Sequence, residues 1–214
     1  MIDVLKGTWT YYQLNGAFVM EHFLRHLLIS VYGTLFAAAV AIPVGLFIAR
    51  RGRLAGWVLG AANVVQTIPS LALMAILMLG LGLGARTVIV TVMCYSFLPI
   101  LRNTWAGVRN IRPEVLDAAQ GMGMTPMQTV FMVELPLALS VIMAGVRNAL
   151  VVAVGVATIG AFIGAGGLGH IIMRGLNVAD GSAIILAGAL PCALMAVGAD
   201  LLLGALERWL DPTR

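Results

Sequence analysis

The sequence predicts an all-α, polytopic membrane protein of about five transmembrane helices, and three observations predict it. Hydrophobic residues make up 61% of the 214 positions and charged residues only 10%. Soluble domains run at roughly 45–50% apolar and about 25% charged. The mean hydropathy is +1.00, and a chain of this size has no core large enough to hide such an excess. The few charges are grouped between long uncharged runs, as membrane topology requires.

The elements follow in order. Residues 1–26 carry Asp3, Lys6, Glu21, Arg25 and two histidines. They lack the short apolar core of a cleavable signal, so they are read as a polar or interfacial arm, with Trp9, Tyr11 and Tyr12 suited to an interface. A span needs about 20 apolar residues to cross roughly 30 Å of hydrocarbon. The first covers 27–49 and stops at Arg50-Arg51-Gly52-Arg53. The second covers 54–82; it is long, and Pro69 is expected to kink or break it. The third covers 86–102. A charged segment follows, with an elbow expected over 108–135. The fourth span covers 136–163 and is interrupted only by Arg147. Gly164 to Gly169 then lead into a polar loop that runs through Asp180. The fifth span covers 182–206, with Asp200 inside it, and residues 207–214 form a tail.

Arg50, Arg51, Arg53, Arg102, Arg109, Arg112, Arg147, Arg208 and Arg214 lie toward one side of this topology; Lys6, Arg25, Arg86 and Arg174 lie toward the other. The excess marks the cytoplasmic side, so the N-terminus is expected outside and the C-terminus inside. The 25 glycines let helices approach closely in lipid and favour a packed bundle. The net charge of +4 forms no basic stripe with interleaved aromatics, which argues against nucleic-acid binding. Cys94 and Cys192 fall in apolar runs and are read as small buried side chains.

The elbow has readable local chemistry. Pro113 suits a first helical position, with Glu114 and Asp117 near the positive end of the helix dipole. Gly121 and Gly123 permit a bend. Thr125, Pro126 and Gln128 form a helix start with a capping box. Leu135-Pro136 is expected to close this second helix and lead into the membrane.

These residues resemble the "EAA" motif of ABC importer permeases: Glu-Ala-Ala, three residues, Gly, nine residues, Ile, one residue, Leu-Pro. Here Asp117-Ala118-Ala119, Gly123, Val133 and Leu135-Pro136 keep every spacing, with Asp for Glu and Val for Ile. The resemblance implies a type I importer permease in which the cytoplasmic elbow is the coupling helix. Asp117, Ala118, Ala119, Gly123, Leu135 and Pro136 would couple the permease to a cytoplasmic ATPase. The implied partners are two ATPase subunits, an extracytoplasmic substrate-binding protein, and a second permease copy or homologous subunit in the inner membrane. No cofactor is expected on this chain; ATP and Mg belong to the partner ATPase, since no Walker loop or catalytic constellation is present. Ile68 to Leu73, Phe97 to Thr104, Gly121 to Thr125 and Ala161 to Gly169 further resemble the osmoprotectant branch, which imports glycine betaine, choline or carnitine. Permeases for methionine or another amino acid are an alternative within the class. An ion-driven secondary transporter is an alternative outside it, disfavoured because no internal repeat is visible. A membrane scaffold or sensor without an ATPase partner is a third.

Asn63, Gln66 and Thr67 sit beside the helix-breaking Pro69. They are candidates for the translocation pathway or for interhelical hydrogen bonds. Tyr95, Ser96 and Asn103 receive the same reading. Arg147 and Asp200 are the deepest charges and are expected to form a buried ion pair, because a lone charge in lipid is costly. His170 is read as a polar loop residue, since no metal-ligating partners are spaced for it. The glycine-rich stretch is read as an outer gate or a surface for the binding protein. No tight aromatic cluster of the kind that cages a quaternary ammonium is evident in the spans.

Overall fold

The computed structural model describes residues 2–209; residues 210–214 of the expected tail, Arg214 among them, lie outside the described residues. Four stretches are long and apolar enough to cross a membrane: α1 (Ile2–Ala49), α4 (Ala85–Arg109), a continuous helical stretch Pro126–Ile163, and α9 (Ser182–Trp209). The pair α2 (Gly52–Thr67) and α3 (Ser70–Leu81) makes a fifth if counted as one span. Helix α4 lies at the centre and packs against both α1 and α7 (Leu135–Ile159).

The segment expected to be an arm is helical and continues into the first span. The 48 residues of α1 would reach about 70 Å at the helical rise, and the helix is interrupted at Asn15, where φ is −125° and ψ is 22°. One face of this early segment is buried against α9. The Thr8 hydroxyl donates to the Ala183 carbonyl at 3.2 Å and the Tyr12 hydroxyl to the Ala187 carbonyl at 3.1 Å. The charged residues Asp3, Lys6, Glu21 and Arg25 stay exposed. The polar residues that suggested a separate interfacial arm thus sort onto two faces of a helix.

The second apolar run breaks where Pro69 stands. Helices α2 and α3 meet at 96°. Ile68 is extended, with φ −70° and ψ 127°, as a residue before proline tends to be. The Tyr95 hydroxyl donates to the Ile68 carbonyl, which would otherwise be left open by the missing helical partner. With 12 residues, α3 is about 18 Å long and too short to cross alone.

Helix α4 passes the expected end at Arg102 and runs to Arg109, so α5 (Pro113–Gly121) begins later than the expected elbow. A short helix α6 (Pro126–Thr129) follows, then a π-helical turn over Val130–Glu134, then α7. Leu135-Pro136 therefore does not close the second elbow helix; the chain stays helical through it. The Leu135 N–H reaches the Val130 carbonyl five residues back, and this wide turn accommodates the proline without breaking the helix.

After α7 and a 3-10 turn over Gly160–Ile163, the glycine-rich stretch leads into α8 (Leu168–Leu176), which packs on α9. Residues 165–169 are buried, so the stretch is a packed corner and not an exposed loop. His26, fully buried on α1, explains it. Its Nδ1 accepts the Leu168 N–H at 3.2 Å, so Nε2 carries the proton and donates to the Val154 carbonyl at 3.0 Å. Gly167 has φ +76°, and a Cβ there would stand 3.0 Å from His26 Nδ1.

At Gly169 a Cβ would lie 2.0 Å from the Thr158 carbonyl oxygen, whereas at Gly155 nothing stands within 4 Å. Gly169→Ala should therefore destabilise the chain by about 2 kcal/mol. Gly155→Ala should be neutral or stabilising by up to about 1 kcal/mol. Thermal unfolding of the detergent-solubilised variants checks both.

Candidate functional site

The elbow between α4 and α7 is the most regular polar feature of the chain. Arg112 is extended before Pro113, which opens α5 at its first position. At the far end the Gly123 N–H donates to the Gln120 carbonyl at 2.9 Å and the Met124 N–H to the Ala119 carbonyl at 3.1 Å. These two bonds form a Schellman closure, and it requires the left-handed φ of +78° that Gly123 adopts. Thr125 then caps α6. Its hydroxyl accepts the Gln128 N–H at 3.4 Å, and its own N–H donates to Gln128 Oε1 at 2.8 Å. The turn between the helices is thus held at both sides by backbone and short side chains alone.

The motif residues divide by exposure. Ala119 faces inward and is buried, while Asp117, Ala118 and Gly123 face solvent. Leu135 is half-buried and Pro136 is exposed. Around the solvent face stand Met122, Met127, Phe131 and Met132, all more than half exposed. Exposed methionines are side chains able to adapt to a partner surface.

Glu134 falls at the end of the charged segment that the sequence places between the third and fourth spans. It is 1% exposed. Its Oε1 accepts from Arg50 Nη2 at 2.7 Å and Arg50 Nε at 3.0 Å. Arg50 lies at the α1–α2 junction, 84 residues away. Its position beside Leu135-Pro136, at the membrane entry, was the one local hint that this carboxylate is buried.

The pathway candidates fall in two groups. Asn63, Gln66 and Thr67 lie on α2 and Pro69 at its bend; Asn63 and Gln66 reach α4, while Thr67 and Pro69 are exposed. Asn63 Oδ1 accepts from Arg102 Nη2 at 2.9 Å, and Gln66 donates to the Tyr95 carbonyl at 2.8 Å. The Thr67 hydroxyl bonds the Val64 carbonyl of its own helix at 2.7 Å. Tyr95 joins this group through Ile68. Asn103 and Ser96 do not join it. Asn103 packs against Gly145 of α7 and donates to the Pro99 carbonyl at 2.8 Å, and Ser96 is fully buried. Between α2 and α4 opens an apolar groove lined by Val58, Ala61, Val65, Met93, Cys94 and Phe97.

Arg147 and Asp200 approach to 3.2 Å, and Glu207, which the sequence reading did not single out, reaches the same guanidinium at 3.2 Å. The group is open and not buried: the Arg147 and Asp200 side chains are 32% and 48% exposed. Arg147 stands midway along α7 and both carboxylates come from the C-terminal half of α9, so one cation is shared by two anions at a partly exposed site. His170 lies on α8, and its ring stacks on His22 at 5.1 Å between centroids. Among the described residues no three His, Cys, Asp or Glu side chains are grouped to hold a metal ion.

With this geometry in view, known proteins give a consistent answer. A family model described as "Binding-protein-dependent transport system inner membrane component" matches residues 41–214. The chain is 58% identical over 213 residues to the carnitine transport permease protein OpuCD of Listeria monocytogenes, covering 100% of this chain and 96% of that one. It is also 58% identical to the glycine betaine/carnitine/choline transport system permease protein OpuCD of Bacillus subtilis, covering 100% and 93%. The fold matches a chain of the MetNI methionine ABC transporter in an inward-facing conformation, with a TM-score of 0.81 at 22% identity over 90% of this chain and 95% of that one.

Replacing Thr125 with Ala removes the side-chain half of the capping box. The elbow should lose about 1 kcal/mol of local stability. Amide hydrogen exchange at residues 122–129 should quicken several-fold, roughly as that energy dictates, while the spans keep their protection.

Proposed function

This chain belongs to the family of binding-protein-dependent transport system inner membrane components, and we propose that it is the permease subunit of an ATP-driven importer for a small osmoprotectant such as glycine betaine, choline or carnitine. The observation that carries the substrate class is 58% identity along the whole chain to permeases named for those compounds. The likeness to the methionine transporter, at 22% identity, carries the fold alone.

The elbow supports the division of labour. Asp117, Ala118 and Gly123 present an exposed rim, and Met122, Met127 and Phe131 an exposed apolar patch. A cleft on a cytoplasmic ATPase subunit is the partner this surface suits. ATP and Mg are bound and turned over there. The permease contributes the passage, paired with a second copy or a homologous subunit, and an extracytoplasmic binding protein delivers the substrate.

The elbow side is cytoplasmic in this reading, with the N-terminus outside and the C-terminus inside. The arginines at 50, 51, 53, 102, 109 and 112 all stand at the elbow end of the spans, which the positive-inside rule places in the cytoplasm. The passage is assigned to the bent α2–α3 pair and the facing side of α4, with Asn63, Gln66, Thr67, Pro69 and Tyr95 along it. Broken helices at membrane depth are tolerated where they line a cavity or are buried in protein. Ser96 and Asn103 serve helix packing in this reading. Closure of two ATPase subunits on ATP displaces the elbows, and α4 and α7, which flank each elbow, carry the movement into the bundle.

The test is co-purification with the cognate ATPase, followed by uptake in proteoliposomes. Wild type should bind the ATPase and import radiolabelled betaine, choline or carnitine only with ATP inside the vesicle's cytoplasmic face. Gly123→Asp, which removes the left-handed glycine and adds a charge, should reduce ATPase recovery at least about tenfold, equivalent to about 1.4 kcal/mol. Uptake driven by an ion gradient without ATP would overturn the proposal.

A further inference from the structure

The Arg50–Glu134 pair lies outside the docking surface, yet it joins the two parts of the molecule that the proposed mechanism must connect. Glu134 closes the π turn at the base of the elbow, immediately before α7. Arg50 is the residue that follows α1, and α2 begins two positions later at Gly52. The two bonds to one carboxylate oxygen are 2.7 and 3.0 Å long. Two charge-assisted N–H groups converging on one oxygen make a short, strong contact. The carboxylate is 1% exposed while the guanidinium side chain is 43% exposed, so one end of the link is held rigidly in the bundle. The other carboxylate oxygen, Oε2, is buried without a hydrogen-bond partner among the described residues. Arg50 and Glu134 line a cavity together with Arg109, Leu116, Gln120 and Thr129, which belong to α4 and the elbow.

From these observations we propose that Arg50 and Glu134 form a positioning link that passes elbow movement directly to the α1–α2 junction, and so to the bent α2–α3 pair. Without it, the elbow is joined by chain only to α4 and α7. With it, a displacement at the base of the elbow also pulls on α2, whose other end is tied to α4 by the Asn63–Arg102 and Gln66–Tyr95 bonds. The link therefore completes a route from the docking surface to the proposed passage. A buried carboxylate is retained at a cost unless paired, and here the pairing adds a charged, oriented link beside the apolar cluster of Ala49, Val108, Ala138 and Ile142 that already packs the end of α1 against α4 and α7. The inference rests on the coupling role proposed above for the elbow.

The experiment uses the complete complex of permease, ATPase and binding protein in proteoliposomes, and reads substrate imported per ATP hydrolysed. Glu134→Gln, Arg50→Gln, the double variant and Arg50→Lys are compared. ATPase recovery on co-purification should stay at wild-type level in all four, because the docking rim is untouched. The transport-to-hydrolysis ratio should fall about tenfold in Glu134→Gln and in Arg50→Gln, within the range usual for coupling between sites. The double variant should be no worse than the poorer single, since both remove one interaction, and Arg50→Lys should recover most of the ratio. If Glu134→Gln does not fold, the two Arg50 variants, altered at the exposed end of the pair, carry the same comparison. A wild-type ratio in the folded variants, or additive losses in the double, overturns the link while leaving the coupling elbow standing. Failure of the wild-type chain to bind the ATPase is seen before any variant is made and overturns both.

Discussion

Inside hydrocarbon there is no water to accept a stray hydrogen bond, and each unsatisfied backbone group costs several kcal/mol. Every departure from regular helix in this chain carries the mark of that constraint. The break at Ile68-Pro69 opens a carbonyl, and the Tyr95 hydroxyl supplies the missing donor. The corner after α7 leaves the Leu168 N–H facing inward, and His26 accepts it while donating to Val154. The π turn before Pro136 keeps the backbone bonded where proline removes a donor. At Ile68 and at Leu168 the irregular backbone is met by a polar side chain from a neighbouring helix, and both are points where the bundle is bent.

The same constraint explains the central place of α4. It meets α1 and α7 along most of its length, and its contacts depend on small residues. A Cβ at Gly33 would lie 2.3 Å from a Val92 methyl, and one at Gly145 would lie 2.7 Å from the Asn103 Cβ. Since lipid offers no hydrophobic drive to associate helices, such close approach supplies the dispersion contacts that hold the bundle. Two of the apolar clusters that result form around Ile29, Val92 and Met74 and around Ile48, Ile100 and Leu101. Helix α4 contributes to both, so it joins the two halves of the bundle and carries the elbow at its end.

The elbow is built on a different principle. Its helices are short, and short helices are marginal without packing or caps. Ala119 and Thr129 anchor them to the bundle, and the Schellman closure and the capping box fix the turn between them. The result is a stiff element with a soft, methionine-rich outer face.

How much of this was legible in the sequence depends on the range of the forces involved. Span number followed from the lengths of uncharged runs. The break at Pro69 and the turn chemistry of Pro113, Gly123 and Thr125–Gln128 followed from bonds made within five residues of one another. The motif spacing identified the elbow for the same reason. The features that escaped depend on partners far along the chain. Arg50 meets Glu134 across 84 residues, and His26 meets Val154 and Leu168 across 128 and 142. Residues 2–26 read as an arm because the acceptors that draw Thr8, Tyr12 and His26 into the bundle, the carbonyls of Ala183, Ala187 and Val154, lie far along the chain. The continuity through Leu135-Pro136 rests on a π turn that no local preference announces. The sequence by itself determined which stretches enter the membrane and where the elbow turns, because burial of apolar length and short-range capping are local. Tertiary structure alone decided which polar side chains are satisfied and by whom, because in a bundle those partners come from helices that the chain reaches only after folding back.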